Sequence, residues 1–408
     1  MINISFSHAY RIVVSTIHPL KAEEIRLEEA IGRATAEDIL SLLDSPSADV
    51  SLKDGFAVIS EDIKNASADT PITLTLRGSQ FAGMPQAAAV SPGKAVKITS
   101  GAIIPPGADG VLANEFAEEG ISTVTALAPV GNNILRKGTD LGKAGVVLPQ
   151  HTTIMPTQAG LIAAAGHAVV TVYRRPRVTI IASGDEIVAV GHPVGEGKVA
   201  ASNLVTLAAW CSYFSMQPDT KVVPDSFESI RKMVEESIRT SDCLITSGGA
   251  WSSERDLIIR VLDDLGWKKM FYRVRIGPGK AVGFGFLEDK PVFCLPGGPP
   301  SNQMAFLQLA LPGLRCLGGH QPATLPVVPA ILDKEISGQI DWTQYKMGML
   351  HRDAEVLRFE PRPLPSRLRM LSSSEGIVTI PEGVETIPAG TCVNVQVMGS
   401  PSQVLQQP

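Results

Sequence analysis

Aromatic side chains make up only 5% of this 408-residue chain, and cysteine occurs five times, at Cys211, Cys243, Cys294, Cys316 and Cys392. An odd count, wide spacing and the lack of any C-x-x-C pair exclude a disulfide framework and a cysteine zinc site, and imply a reducing compartment. No cluster or stripe of basic residues occurs, and Lys+Arg 36 against Asp+Glu 41 leaves a net charge of −5, so nothing marks a nucleic-acid surface. The longest apolar stretch, 161–172, contains His167 and is too short to span a bilayer. The opening residues lack the basic and apolar regions of a signal peptide. A phosphate P-loop is missing too, since PGKAV at 92 and again at 278 lacks the G-x-x-x-x-G-K-[ST] frame. A cytoplasmic, soluble protein that handles a small ligand is expected, with no nucleic-acid or membrane partner.

Glycine (37) and proline (30) are plentiful, which means many turns. The length exceeds what one core usually organises, so several domains are expected. Residues 6–41 read as helices with polar breaks, from Tyr10, Ile12, Val13 and Ile17 and then Ile25, Leu27, Ala30 and Ile31. From about 45 to 136 short β-like runs (ITLTL, KAVKIT, GVLA, STVTAL) alternate with turn residues, as in a small barrel or sandwich. A helical stretch at 155–166 leads to RRPR (174–177), a plausible hinge. Beyond it strands and helices alternate: Val178 to Ile181 ends in SGDE, CLI ends in TSGGAWSSERD and VFCL ends in PGGPPSN, each followed by a helical pattern. That rhythm predicts a parallel sheet with helices on both faces. The last part, with VVPAIL, EVLRFEPR, GIVTIP and TCVNVQVM, reads as a small β domain. The expected partition is a helical N-terminal part (1–46 and 137–176), an inserted β-rich domain (47–136), a central doubly wound α/β domain (177–320) and a C-terminal β-barrel-like domain (321–408).

In open parallel sheets ligands sit beyond the carboxyl ends of the strands, where the three glycine loops should gather. Gly248 and Gly249 permit close backbone approach, and the helix that follows aims unpaired N–H groups and its positive dipole end at whatever binds, which favours an anion such as phosphate. Ser252 or Ser253 can cap that helix and Gly266 can end it. Asp256 in its first turn is either a dipole partner or, with Asp225 at the start of another helix, half of a carboxylate pair suited to Mg²⁺. Asp225 can equally be an N-cap, and Glu186 a surface, site or capping residue.

These motifs in their order resemble the molybdopterin molybdenumtransferase family, which includes the E domain of gephyrin. DVSLKDGFAV (49–58), ITSGAIIPPGADGVL (98–112), GNNILRKGTDLGKAG (131–145), RVTIIASGDEIV, LITSGGAWSSERD, IGPGKAVGFG and CLPGGPPSN carry the resemblance over nearly the whole chain. It implies an elongated homodimer whose central domain binds adenylylated molybdopterin, inserts molybdate at the dithiolene and releases AMP with Mg²⁺ present. It further implies that Asp225 and Asp256 stand near the metal and adenylate, that Glu186 is the glutamate of the GDE motif, and that Asp54, Ser100 and Asp140 close the cleft from the other subunit. Ser183, Gly184, Ser247, Gly248, Gly249, Pro296, Gly297 and Pro299 line the loops, with Lys280 and Ser301 on the molybdate side; Ser366 aligns only loosely with a further serine there.

Departures from the family pattern concentrate in this site. Gly277 stands for a lysine, Gly298 for an asparagine and Ala201 for an acid, while Trp251 and Ser253 replace a serine and a glycine. Near the expected C-terminal arginine the sequence offers Lys346. Fewer cations weaken the hold on a dianion, and Arg273 and Arg275, at two-residue steps before Gly277, would compensate if that segment is extended. Trp251 either stacks on the pterin or fills its loop. A carrier that binds the molybdenum cofactor and hands it to a molybdoenzyme without performing the insertion is the alternative reading; a nucleotide-pyrophosphate hydrolase or deamidase is a weaker third.

Overall fold

The computed structural model describes residues 2–85, 89–248, 257–321, 324–353, 356–362 and 367–399. A parallel sheet is possible in the centre of the chain because its strands are apolar on both faces. Along Arg177–Ser183, Val178, Ile180 and Ala182 point into one core and Ile181 into another. Cys243–Ser247 and Lys290–Leu295 divide in the same way, Ile245, Phe293 and Leu295 to the first core and Leu244, Val292 and Cys294 to the second. Strand Gln217–Val223 pairs parallel with Arg177–Ser183, which pairs parallel with Cys243–Ser247, and that in turn with Lys290–Leu295.

Helices complete both layers. Helix α1 (Phe6–Thr16) packs Ala9 and Val13 into the first core. Helix α2 (Pro156–Ala164) belongs to a separate lobe described below. Helix α3 (Ser202–Tyr213) lies on the same side as α1, through Leu204, Leu207 and Cys211. On the other side α4 (Phe227–Thr240) and α5 (Leu257–Asp264) bury Ile230, Val234 and Ile238 and then Ile258, Val261 and Leu262. Helix α6 (Pro299–Ala305) runs through a π-helical turn, Phe306–Ala310, into α7 (Leu311–Leu317), all facing the first core.

The sheet continues antiparallel through Gly283–Leu287 and Lys268–Gly277, and Lys268–Gly277 then pairs with Thr343–Asp353. From there Val356–Pro361, Val327–Leu332, Cys392–Val397 and Gly376–Ile380 follow in order, and Gly376–Ile380 pairs back to Thr343–Asp353, closing a barrel around Leu350, Phe359, Ile380 and Val395. The last helix, α8 (Arg367–Ser373), lies against α6. The inserted β region is a six-stranded sheet in the order Gly110–Ala113, Gly55–Val58, Lys94–Ile98, Ile72–Gln80, Thr123–Ala126, Ala117–Glu119. Among the described residues no helix is long and apolar enough to cross a membrane.

Only the first third of the helical pattern read over 6–41 is a helix. Ala22–Arg26 is a strand paired antiparallel with Val169–Tyr173, followed by a single 3₁₀ turn at Leu27–Glu29. Ile25, Leu27 and Ala30 reach a common core with Ile162, Val170 and Val172 from strand and turn, and that spacing imitated a helical stripe. Residues 2–5 also depart from the expected lobe: Ile2–Ser5 lies parallel to Lys268–Gly277 in the central sheet.

Candidate functional site

The ends of Arg177–Ser183, Cys243–Ser247 and Lys290–Leu295 open into a crevice of about 1040 Å³. All three predicted loops reach it, through Ser183 and Glu186, through Ser247 and Gly248, and through Pro296, Gly297, Gly298 and Pro299; Lys280 and Ser301 line it as well. Gly184 lies between two of these residues, its φ of +153 turning the chain out of the strand. Gly248 has φ +98, and a Cβ there would stand 3.3 Å from the Ser183 carbonyl, so glycine is required where the two loops touch.

Two asparagines tie the loops together. Asn302, buried in α6, donates to Ser247 Oγ (3.0 Å) and to the Pro296 carbonyl (2.9 Å). Asn203, in the first turn of α3, donates to the Gly297 carbonyl (2.8 Å) and at longer range to Ser247 Oγ (3.3 Å). Beside them the Ser183 hydroxyl, 5% exposed, has no hydrogen-bond partner among the described residues. A buried hydroxyl in that condition at a cavity wall is prepared for a ligand or a water. Helix α3 follows its N-cap Ala201 without a side-chain cap, so its leading N–H groups remain available at the crevice, whereas α6 opens on Pro299 and Pro300, which have no N–H to offer.

The charges around the cavity are mixed. Among the described residues Lys198, Lys280 and Arg367 are its lining cations, and Lys198 also donates to the Asp185 carbonyl (2.7 Å). Glu186 supplies a carboxylate to the wall. The Asp225 N–H donates to Asp185 Oδ1 (3.2 Å), and burial, followed by the charges of Asp185 and Glu186, holds the Asp225 carboxyl above the usual carboxylate range. Among the described residues no three His, Cys, Asp or Glu side chains are arranged to hold a metal ion. Gly249, Trp251, Ser252, Ser253, Asp256 and Ser366 lie outside the described residues.

Arg273 and Arg275 are not among the residues lining the crevice. Arg273 has φ +62, which breaks the extended path that two-residue alternation requires. The Arg275 guanidinium donates to the Asp341 and Asn3 carbonyls and pairs with Glu382 (3.4 Å), so it joins the N-terminal strand to the C-terminal barrel rather than replacing a lost cation. Asp54 accepts the Ser100 N–H (2.8 Å) in the inserted β lobe, and the Asp140 N–H donates to the Ser45 carbonyl; none of the three lines the crevice of its own chain. Lys346 is also absent from the lining, half-buried on Thr343–Asp353, where burial lowers its ammonium below the ordinary lysine range. Lys198, Asn203, Asn302 and Arg367 received no role in the sequence reading. Asn302 closes the quoted motif CLPGGPPSN and Asn203 lies two residues after Ala201, which was the only local signal, and Arg367 arrives from α8 by tertiary packing alone.

Three family models match in order: "MoeA N-terminal region (domain I and II)" over residues 4–166, "Probable molybdopterin binding domain" over 179–315 and "MoeA C-terminal region (domain IV)" over 329–398. A molybdopterin molybdenumtransferase of Haemophilus influenzae is 33% identical over 332 residues, covering 79% of this chain and 81% of the relative. One from a Nostoc species is 30% identical, over 81% and 77%. The crystal structure of the molybdopterin biosynthesis moeA protein of Pyrococcus horikoshii OT3 superposes with a TM-score of 0.82 at 27% identity, covering 97% of this chain and all of that one.

Proposed function

Because the chain belongs to the molybdopterin molybdenumtransferase family, an enzyme family of molybdenum cofactor biosynthesis, we propose that its crevice binds adenylylated molybdopterin, inserts molybdate and releases AMP. The observation that carries this reading is convergence: the uncapped start of α3, the cations Lys198, Lys280 and Arg367 and the partnerless Ser183 hydroxyl meet in one cavity. Phosphate and molybdate are oxyanions, and backbone N–H groups, hydroxyls and cations are what hold them. In this reading Ser183, Gly184, Ser247, Gly248 and Gly249 hold the pterin phosphate and adenylate, and Lys280, Pro296, Gly297, Pro299 and Ser301 hold the molybdate.

Glu186 lines the crevice and Asp185 and Asp225 stand near it; their hard carboxylate oxygens are the donor class that Mg²⁺ takes, while no three described side chains form a metal site by themselves. Asp225 and Asp256 would hold the ion, completed by substrate phosphate oxygens. When bound, it neutralises charge on the adenylate. Asp54, Ser100 and Asp140 act in this reading on the crevice of a second copy within a homodimer. The exposed Leu40, Leu42 and Leu43 of the first lobe offer an apolar face that such pairing would cover. A cytoplasmic enzyme handing its product to a molybdoenzyme follows from the same reading.

One observation favours the carrier alternative. A Cβ on Gly298 would meet nothing within 4 Å, and one on Gly277 would reach only the Gln344 side chain, at 3.6 Å or beyond. Packing therefore does not forbid the asparagine and lysine expected there. The test is to incubate the purified protein with adenylylated molybdopterin, molybdate and Mg²⁺, following AMP release and reconstitution of an apo-molybdoenzyme. Release with reconstitution supports the transferase, tight binding without turnover supports the carrier, and the absence of both binding and turnover refutes the assignment to this crevice.

A further inference from the structure

A second cavity, of about 650 Å³, opens at the opposite edge of the parallel sheet. It is lined by Arg177 and Gln217, the first residues of their strands, by Arg174 and Arg175 of the RRPR segment, and by Arg33, Glu23 and Glu29 of the first lobe. Four guanidinium groups here face three carboxylates, those of Glu23, Glu29 and Asp242.

The pairing is unequal. Arg33 is satisfied by Glu23 and by the Tyr173 carbonyl. Arg174 grips both Asp242 oxygens, at 2.9 and 2.7 Å, and the Arg177 N–H takes a further place on Asp242 at 2.8 Å. The Arg177 side chain is left with long contacts to Asp242, at 3.4 and 3.5 Å, and is half exposed. Arg175 has no partner among the described residues, and its Nε is buried without an acceptor. Glu29 stands exposed at the rim. A buried cationic donor without an acceptor is costly, and guanidinium forks match oxyanions in a planar, two-point geometry.

We propose that this groove is a second binding site, for a small polyvalent oxyanion of the phosphate class, in which Arg175 and Arg177 grip the anion and thereby tie the first lobe to the α/β domain. The site is separate from the crevice and does not depend on the function assigned there. An inorganic oxyanion and the phosphoryl group of a small ester present the same chemistry to these arginines.

Calorimetric titration of the full-length protein with inorganic phosphate tests it, with AMP as a second probe and with Arg175→Ala, Arg177→Gln and Lys280→Ala as variants whose folding is checked by circular dichroism. Phosphate affinity should fall about tenfold or more in each arginine variant, since one charge-assisted contact is lost, and should be unchanged in Lys280→Ala. Arg177→Gln, at an exposed position, keeps the test valid if Arg175→Ala fails to fold. Binding of AMP that is lost in the same two variants identifies an ester as an accepted source, and binding of phosphate alone identifies the free anion; either result supports the site. No phosphate binding overturns the proposal, as does phosphate binding that survives both arginine substitutions. Loss confined to Lys280→Ala places the anion in the crevice and also overturns it.

Discussion

Asp225 holds a carboxyl that folding makes harder to ionise, through burial first and then through the charges of Asp185 and Glu186. A carboxyl whose value is raised on folding contributes stability that is full below its unfolded value and is lost as pH rises through the folded one. Asp225→Asn should therefore raise the thermal unfolding midpoint at pH 7, leave it close to wild type near pH 3, and reduce AMP release, the pattern of a strained functional group. A variant no more stable at pH 7 would show that the carboxyl carries no strain. Asn302 presents the reverse case. Removing its amide takes the donor from the buried Pro296 carbonyl and leaves Ser247 Oγ only the longer contact from Asn203, so Asn302→Ala should lower stability by about 1–3 kcal/mol in urea unfolding and weaken ligand binding as the loops separate. A loss in affinity without a loss in stability would move Asn302 from loop-tying to direct contact.

Among the elements, α4, the helix expected to begin at Asp225, has one apolar side, with Ile230, Val234 and Ile238 inside and charged residues outside. Its start is fixed by Ser226, whose side chain accepts the Ser229 N–H (3.2 Å), immediately after Asp225. Ser226→Ala should lower stability by about 1 kcal/mol, read as a shift of the urea midpoint at constant slope. An unchanged midpoint would mean that the cap is replaced by water at no penalty. Four of the six strands of the inserted sheet were legible within a residue or a few, since ITLTL, KAVKIT, GVLA and STVTAL alternate between turns, whereas Gly55–Val58 and Ala117–Glu119 were not read as strands. Lys268–Gly277 and Thr343–Asp353 were not read as strands. The first carries charges and a positive-φ residue where alternation should run, and the second joins two domains through pairing with partners distant in sequence.

The whole molecule is held at its joints by polar contacts as well as by cores. His320, just beyond α7, meets the first lobe through Thr153 Oγ1 at 2.8 Å, and His151 reaches the Gly319 carbonyl at 2.9 Å. Burial, with Arg315 and Arg33 nearby, pushes the His320 imidazole down to about 4. A histidine depressed on folding contributes stability that is full above its unfolded value near 6.5 and is lost as pH falls towards the folded one. Wild-type stability should decline between about pH 6.5 and 4 by an amount on the order of 3 kcal/mol from this group, and His320→Gln should flatten that decline in denaturant titrations across the window. A variant with the same slope as wild type would assign the acid sensitivity elsewhere.

By itself the sequence determined the alternation of strand, glycine loop and helix, the order of the seven motifs, and hence the family and the loop-bearing edge of the central sheet where the crevice opens. These are local properties, written in spacing of two or near four and in glycines that only certain turns accept. Lys280 apart, the tertiary structure decided which of the described cations face the crevice. Arg275 points to Glu382 while Lys198 and Arg367 line the wall, because a side chain's direction after a positive-φ residue, and the approach of a helix about a hundred residues away, are settled by packing across the joint between the α/β domain and the barrel.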